Sequence, residues 1–74
     1  MAGMVKLPIL LYRGEDGMMV AECPLIPGCV SQGADREVAL LNLREAVDLC
    51  LEMRTQEGWT LPASYELSEI GVAQ

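Results

Sequence analysis

The periodicity of apolar and polar residues changes along this chain, and the changes mark its elements. Residues 5–13 set Leu7, Ile9 and Leu11 against Pro8, Leu10 and Tyr12, which predicts a strand apolar on both faces, since successive side chains of a strand point to opposite sides. Pro8 cannot donate to a ladder and therefore argues for an edge position or a bulge. Gly14-Glu15-Asp16-Gly17 follows, and its Asp-Gly pair predicts a type I′ hairpin, both central residues of which need positive φ. Residues 18–23 then return antiparallel, until Pro24 removes a donor and stops the strand.

The stretch from Glu22 to Gly33 organises the rest. Pro24 and Pro27 each fix φ, and Gly28 supplies a turn conformation that other residues avoid. Residues 29–32 are long enough for a third short strand, and Gly33 releases the chain into a helix capped by Asp35, with Glu37 where the helix dipole favours an acid. Over residues 36–57, Ala39, Leu40, Leu43, Ala46, Val47, Cys50 and Leu51 fall on one stripe at 100° per residue, and that stripe predicts the face lying on the sheet. Leu41 falls among Glu37, Arg44, Glu45, Asp48 and Glu52 on the opposite side. Gly58 marks the helix end at C′, with Trp59 expected to fold back on Met53. Beyond a loop around Pro62, residues 65–72 alternate well enough for a short fourth strand, with Leu67 opposed to Ile70 and Val72. The expected architecture is α+β in a single domain over residues 1–74: a three-stranded antiparallel meander (about 5–13, 18–23 and 29–32) packed on one long helix (about 36–57), with the fourth strand giving β-β-β-α-β.

Composition narrows the function. A chain of 74 residues has room for one domain and a marginal core, which disulfides, a metal or self-association usually supplement. Cys23, Cys29 and Cys50 are odd in number, lack a CxxC pairing and have no His beside them, so neither a zinc site nor a disulfide framework is indicated. No cofactor or metal site is expected, and self-association remains, as a homo-oligomer of dimer or tetramer size. The apolar outer side of the first strand, with Pro8, Leu10 and Tyr12, is the candidate contact. No basic-then-apolar leader and no run of about 20 apolar residues is present, which points to a cytoplasmic location with reduced thiols and no membrane contact. The net charge of −6, with only five Lys plus Arg, repels phosphate backbones, so no direct nucleic-acid partner is expected. Two uses fit that charge: an acidic surface for a basic protein partner, or solubility.

Candidate chemistry is thin. Without His, no imidazole activates Cys23, Cys29 or Cys50. A two-metal nuclease site needs several converging carboxylates, and Glu22 is the only acid well inside a predicted strand. The expectation is a protein that is not an enzyme. Met18 and Met19 fit either a soft contact surface or the core.

The order strand, Asp-Gly hairpin, strand, Pro-x-x-Pro-Gly-Cys, short strand, Gly, capped helix resembles the N-terminal domain of the HicB-like antitoxin family. The residues carrying the resemblance are Glu15-Asp16-Gly17, Val20-Ala21-Glu22-Cys23-Pro24, Ile26-Pro27-Gly28-Cys29-Val30-Ser31-Gln32-Gly33, and Ala39-Leu40, Asn42-Leu43 and Glu45-Ala46 in the helix. The resemblance implies a partial ribonuclease H-like fold and a non-catalytic module that neutralises a small HicA-type ribonuclease toxin by occlusion. Many members carry an appended DNA-binding domain; none is expected in these 74 residues, nor autorepression by this chain alone. Leu25 stands where many members have an acid. The candidate partner-binding residues are Glu22, Leu25, Glu45, Asp48 and Glu52, and the alternative is an orphan homo-oligomer with no toxin.

Overall fold

A computed structural model describes residues 6–74. The elements are β1 (Leu10–Arg13), β2 (Met19–Glu22), β3 (Val30–Gly33) and α1 (Arg36–Gln56), with the strands forming one antiparallel sheet in the order β1-β2-β3. The α+β meander on one long helix is thus the architecture of this chain.

β1 is shorter than the 5–13 expected from alternation, and residue 5 lies outside the described residues. The register pairs Leu10 with Glu22 and Tyr12 with Val20. Two residues further on it sets Pro8 opposite Pro24, and neither can donate, so the ladder has nothing to hold it there. The hairpin also differs from expectation. Its loop is the three residues Glu15-Asp16-Gly17, closed by Gly14 N–H to the Met18 carbonyl at 2.8 Å and Gly17 N–H to the Gly14 carbonyl at 3.0 Å. Only Gly17 takes positive φ (+85°), so Asp16 does not form a type I′ centre. It accepts the Met18 N–H on Oδ1 at 3.0 Å instead.

Between β2 and β3 the chain makes two consecutive β-turns. Ile26 N–H donates to the Cys23 carbonyl at 3.2 Å, and Cys29 N–H to the Ile26 carbonyl at 3.1 Å. In the second turn Pro27 and Gly28 hold the central positions, with Gly28 at φ +75°, the type II pattern. Cys23 N–H donates to the Cys29 carbonyl at 3.0 Å across the mouth of the corner, and Ile26 drops from its apex into the core.

The Asp35 carboxylate caps α1 by accepting the Val38 N–H at 2.9 Å. The buried core is small: Ala21, Cys23, Ile26, Cys29, Ala39 and Leu43, with the expected stripe of Leu40, Ala46, Val47, Cys50 and Leu51 packed around it. Gly33 lets the layers meet. A Cβ on it would sit 2.5 Å from the Ala39 nitrogen and 2.8 Å from the Val38 carbonyl carbon, closer than real atoms approach. α1 accordingly packs most on β3, next on β2, and barely on β1.

The helix closes in a Schellman arrangement, with Trp59 N–H donating to the Arg54 carbonyl at 2.9 Å and Gly58 N–H to the Thr55 carbonyl at 3.0 Å. Trp59 packs on the core, to which Met53, 64 % exposed, does not belong. It takes the neighbouring register and faces Arg54, whose guanidinium carbon lies 5.8 Å from the ring centroid. No strand forms over residues 65–72. The segment runs unpaired, with Leu67, Ile70 and Val72 at 72 %, 87 % and 68 % exposure, because no neighbouring strand reaches it within the described chain.

Candidate functional site

Two surfaces stand out, on opposite sides of the domain. The helix covers one face of the sheet, where Leu11, Met19, Ala21 and Cys23 point inward. Period two therefore sends Leu10, Tyr12, Val20, Glu22, Val30 and Gln32 to the other face. The register arranges them in two rows, Leu10–Glu22–Val30 and Tyr12–Val20–Gln32. No described element covers this face, and Leu10, Tyr12 and Val30 are 53 %, 47 % and 49 % exposed. Glu22 sits in the middle of the first row and accepts a long hydrogen bond from the Tyr12 hydroxyl at 3.5 Å, a diagonal cross-strand contact. A carboxylate ringed by apolar side chains can orient a donor from a partner while the surrounding surface buries.

The second surface is on α1. Glu45, Asp48 and Glu52 follow one another at intervals of three and four, which aligns them along one exposed stripe facing away from the core. Beside it, Glu37, Leu40, Leu41 and Arg44 border a shallow hollow of about 370 Å³. Glu22 and the helical acids are thus separated by both layers and cannot form one patch. Leu25 belongs to neither: it is half-buried in the corner and packed against the core. Pro8, half-buried, precedes the uncovered face to which Leu10 and Tyr12 belong.

Val20, Val30 and Gln32 complete the sheet face and escaped the sequence reading, because their side of the sheet depends on register. Arg54 was missed as well. Its guanidinium donates from Nη2 to the Pro27 carbonyl at 2.9 Å, tying the helix end to the Pro-Gly corner. A basic residue in the last turn is the local signal; its partner 27 positions away is not.

The three thiols cluster at the core, Cys23 and Cys29 buried within it and Cys50 half-buried against it. Burial, then the hydrogen-bonding Cys50 thiol, push Cys29 up from 9.0 to about 11, so it stays a protonated thiol at neutral pH. Among the described residues, no group of three or more His, Cys, Asp or Glu side chains is placed to hold a metal ion. No helix of the described residues is long and apolar enough to cross a membrane.

Sequence comparison places the chain among small proteins of archaea, cyanobacteria and a phage. It is 31 % identical to a UPF0150 protein of Thermoplasma acidophilum over 58 residues, covering 78 % of this chain and 84 % of the relative. A UPF0150 protein of Synechocystis is 38 % identical over 59 residues, covering 80 % and 81 %. An uncharacterized 14.9 kDa protein of Haemophilus phage HP1 is 32 % identical over 62 residues, which cover 84 % of this chain but 46 % of the phage protein. No family model matches the chain, and no solved structure does. With identity above 30 % across more than four-fifths of two relatives, the chain belongs to the UPF0150 family.

Proposed function

We propose that this protein is a cytoplasmic, non-catalytic protein-binding module of the HicB antitoxin type, which neutralises a small basic HicA-type ribonuclease by covering its RNA-binding face. The observation that carries this reading is the exposed acidic stripe of Glu45, Asp48 and Glu52, in a chain of net charge −6. Carboxylates three and four residues apart on a rigid helix present negative charge at spacings a phosphate-binding surface tolerates, so they occupy such a surface in place of RNA. The resemblance in the Pro-x-x-Pro-Gly-Cys corner supplies the toxin class. The protein has no role as a nuclease and makes no direct nucleic-acid contact in this reading.

The test is co-purification with a tagged HicA-type toxin encoded beside this gene, followed by RNA cleavage. A stoichiometric complex that suppresses cleavage, weakens with salt and is lost on joint replacement of Glu45, Asp48 and Glu52 by Lys is expected. Unaltered cleavage at excess protein overturns the reading. A second reading, an orphan homo-oligomer, is favoured by the uncovered sheet face, where Leu10, Tyr12 and Val30 are half-exposed around Glu22. There the face buries against its copy, and replacing Val30 by Asp dissociates the assembly.

A further inference from the structure

We propose that residues 65–72 of one copy add as a fourth strand to the free edge of β1 in a second copy, and that the exchange is reciprocal. This inference stands apart from any toxin partner, and it uses the edge of the sheet where the self-association reading above uses its face.

The edge is defined by hydrogen-bond parity. Gly14 N–H donates to the Met18 carbonyl, which makes Gly14–Met18 a bonded pair, and with it every second pair onward, Tyr12–Val20 and Leu10–Glu22. Leu11 and Arg13 therefore turn their N–H and C=O groups away from β2, and among the described residues nothing pairs with them. The opposite edge is partly closed: Asn42 Nδ2 donates to the Gln32 carbonyl at 2.8 Å, and α1 leans over β3. The helix sits over β3 and β2, so the β1 edge is the one it leaves open. The acceptor is thus β1, an unprotected edge of the kind that recruits strands.

The donor is the tail. Its alternation is that of a strand, yet every residue from Pro62 to Gln74 is exposed. Trp59 and Leu61 still pack against the core, so the chain stays beside its own sheet up to that point and then leaves it. The radius of gyration is 13.9 Å, where a compact chain of this length has about 11 Å. A segment with a strand's alternation that pairs with nothing in its own described chain is available to another copy. Charge agrees with the pairing: Lys6 precedes β1 and Arg13 ends it, with no acid between them, while Glu66 and Glu69 are the only charged side chains from Thr60 to Gln74. In the added strand, Leu67 falls on one face and Ile70 and Val72 on the other. One set prolongs the apolar rows beside Leu10 and Tyr12, and the other lies beside Leu11 on the helix side of the sheet. Two identical contacts related by a two-fold axis close the assembly at a dimer.

The experiment is light scattering and amide hydrogen exchange on the full chain and on a variant ending at Ser64. The full chain is expected to run as a dimer with protected Leu11 and Arg13 amides, and the shortened one as a monomer in which both amides exchange freely. A full chain that is monomeric, or a dimer that survives the truncation, overturns the proposal; the second outcome points to the sheet face instead. Should the shortened chain lose its helical circular dichroism, a mixed sample of isotope-labelled and unlabelled full chains decides. Intermolecular nuclear Overhauser effects between Leu67 or Ile70 and Leu10 or Tyr12 are expected, and contacts within one chain alone refute the exchange.

Discussion

Replacing Gly33 by Ala tests how tightly the layers of this domain are set. The added methyl would stand 2.5 Å from the Ala39 nitrogen and 2.6 Å from Val38 Cγ1. The Val38 methyl can rotate away, but the Ala39 nitrogen and the Val38 carbonyl carbon are backbone. The first of these contacts falls about 0.9 Å short of the 3.4 Å at which ordinary contact begins, so the first turn of α1 has to lift off β3. That movement strains the Ala39 N–H to Asp35 carbonyl bond and opens the layer around Ala39, a core residue. Overpacking of this kind costs roughly 1–3 kcal/mol, and a rigid backbone contact belongs at the upper end. A 74-residue domain holds about 4–11 kcal/mol in total at 0.05–0.15 kcal/mol per residue, so the loss is a large fraction. In urea, with a slope of about 1 kcal/mol/M for a chain this small, the midpoint should fall by about 2–3 M. Gly71→Ala, which meets nothing within 4 Å, is the control and should change stability by less than about 0.5 kcal/mol. A Gly33→Ala midpoint within experimental error of the parent, with unshifted Val38 and Ala39 amide resonances, would refute the close approach.

Three further outcomes follow from the same contacts. Asp35→Ala removes the cap on Val38 and should cost about 1 kcal/mol by urea unfolding, whereas Asp35→Ser should recover most of it. Arg54→Ala deletes both the bond to the Pro27 carbonyl and the stacking on Trp59, with a loss of about 1–2 kcal/mol; a fall in tryptophan anisotropy should accompany it, and an unchanged midpoint would count against the tie. Cys29, held near 11 by burial and by the Cys50 thiol, should resist iodoacetamide at pH 8 in the folded protein while all three cysteines react in urea. Because its folded pKa lies above the unfolded one, the stability it contributes is complete below about pH 9 and is lost as pH rises through about 11, a decline that Cys29→Ala should remove.

What the sequence disclosed and what it withheld divide along the range of the interactions. Asp35 with Glu37, and the stripe from Ala39 to Leu51, are relations within a few residues, and all of them appear as expected. The start of β1 depends on Pro8 falling opposite Pro24, a consequence of register that neither proline announces alone. The hairpin type turned on Gly14 and Gly17 bracketing the Asp, which allows a three-residue loop with one positive φ. Trp59 faces Arg54, one position on from the Met53 that its spacing suggests, since both positions lie on the last turn. For the candidate surfaces, the spacing of Glu45, Asp48 and Glu52 was legible at once. That Glu22 belongs to the opposite side, with Val20, Val30 and Gln32 around it, required the pairing of all three strands.

The modest size of the core has a thermal consequence. Among the described residues, Ile26 and Leu43 are the only large aliphatic side chains fully enclosed, and the remaining buried positions hold Ala, Cys or Gly. The heat capacity of unfolding grows with the apolar surface released, and 74 average residues would give about 1 kcal/mol/K. This chain releases less, which flattens its stability curve into a low, broad dome. Warming and cooling then change its stability only gently, and cold denaturation recedes further below the freezing point of water.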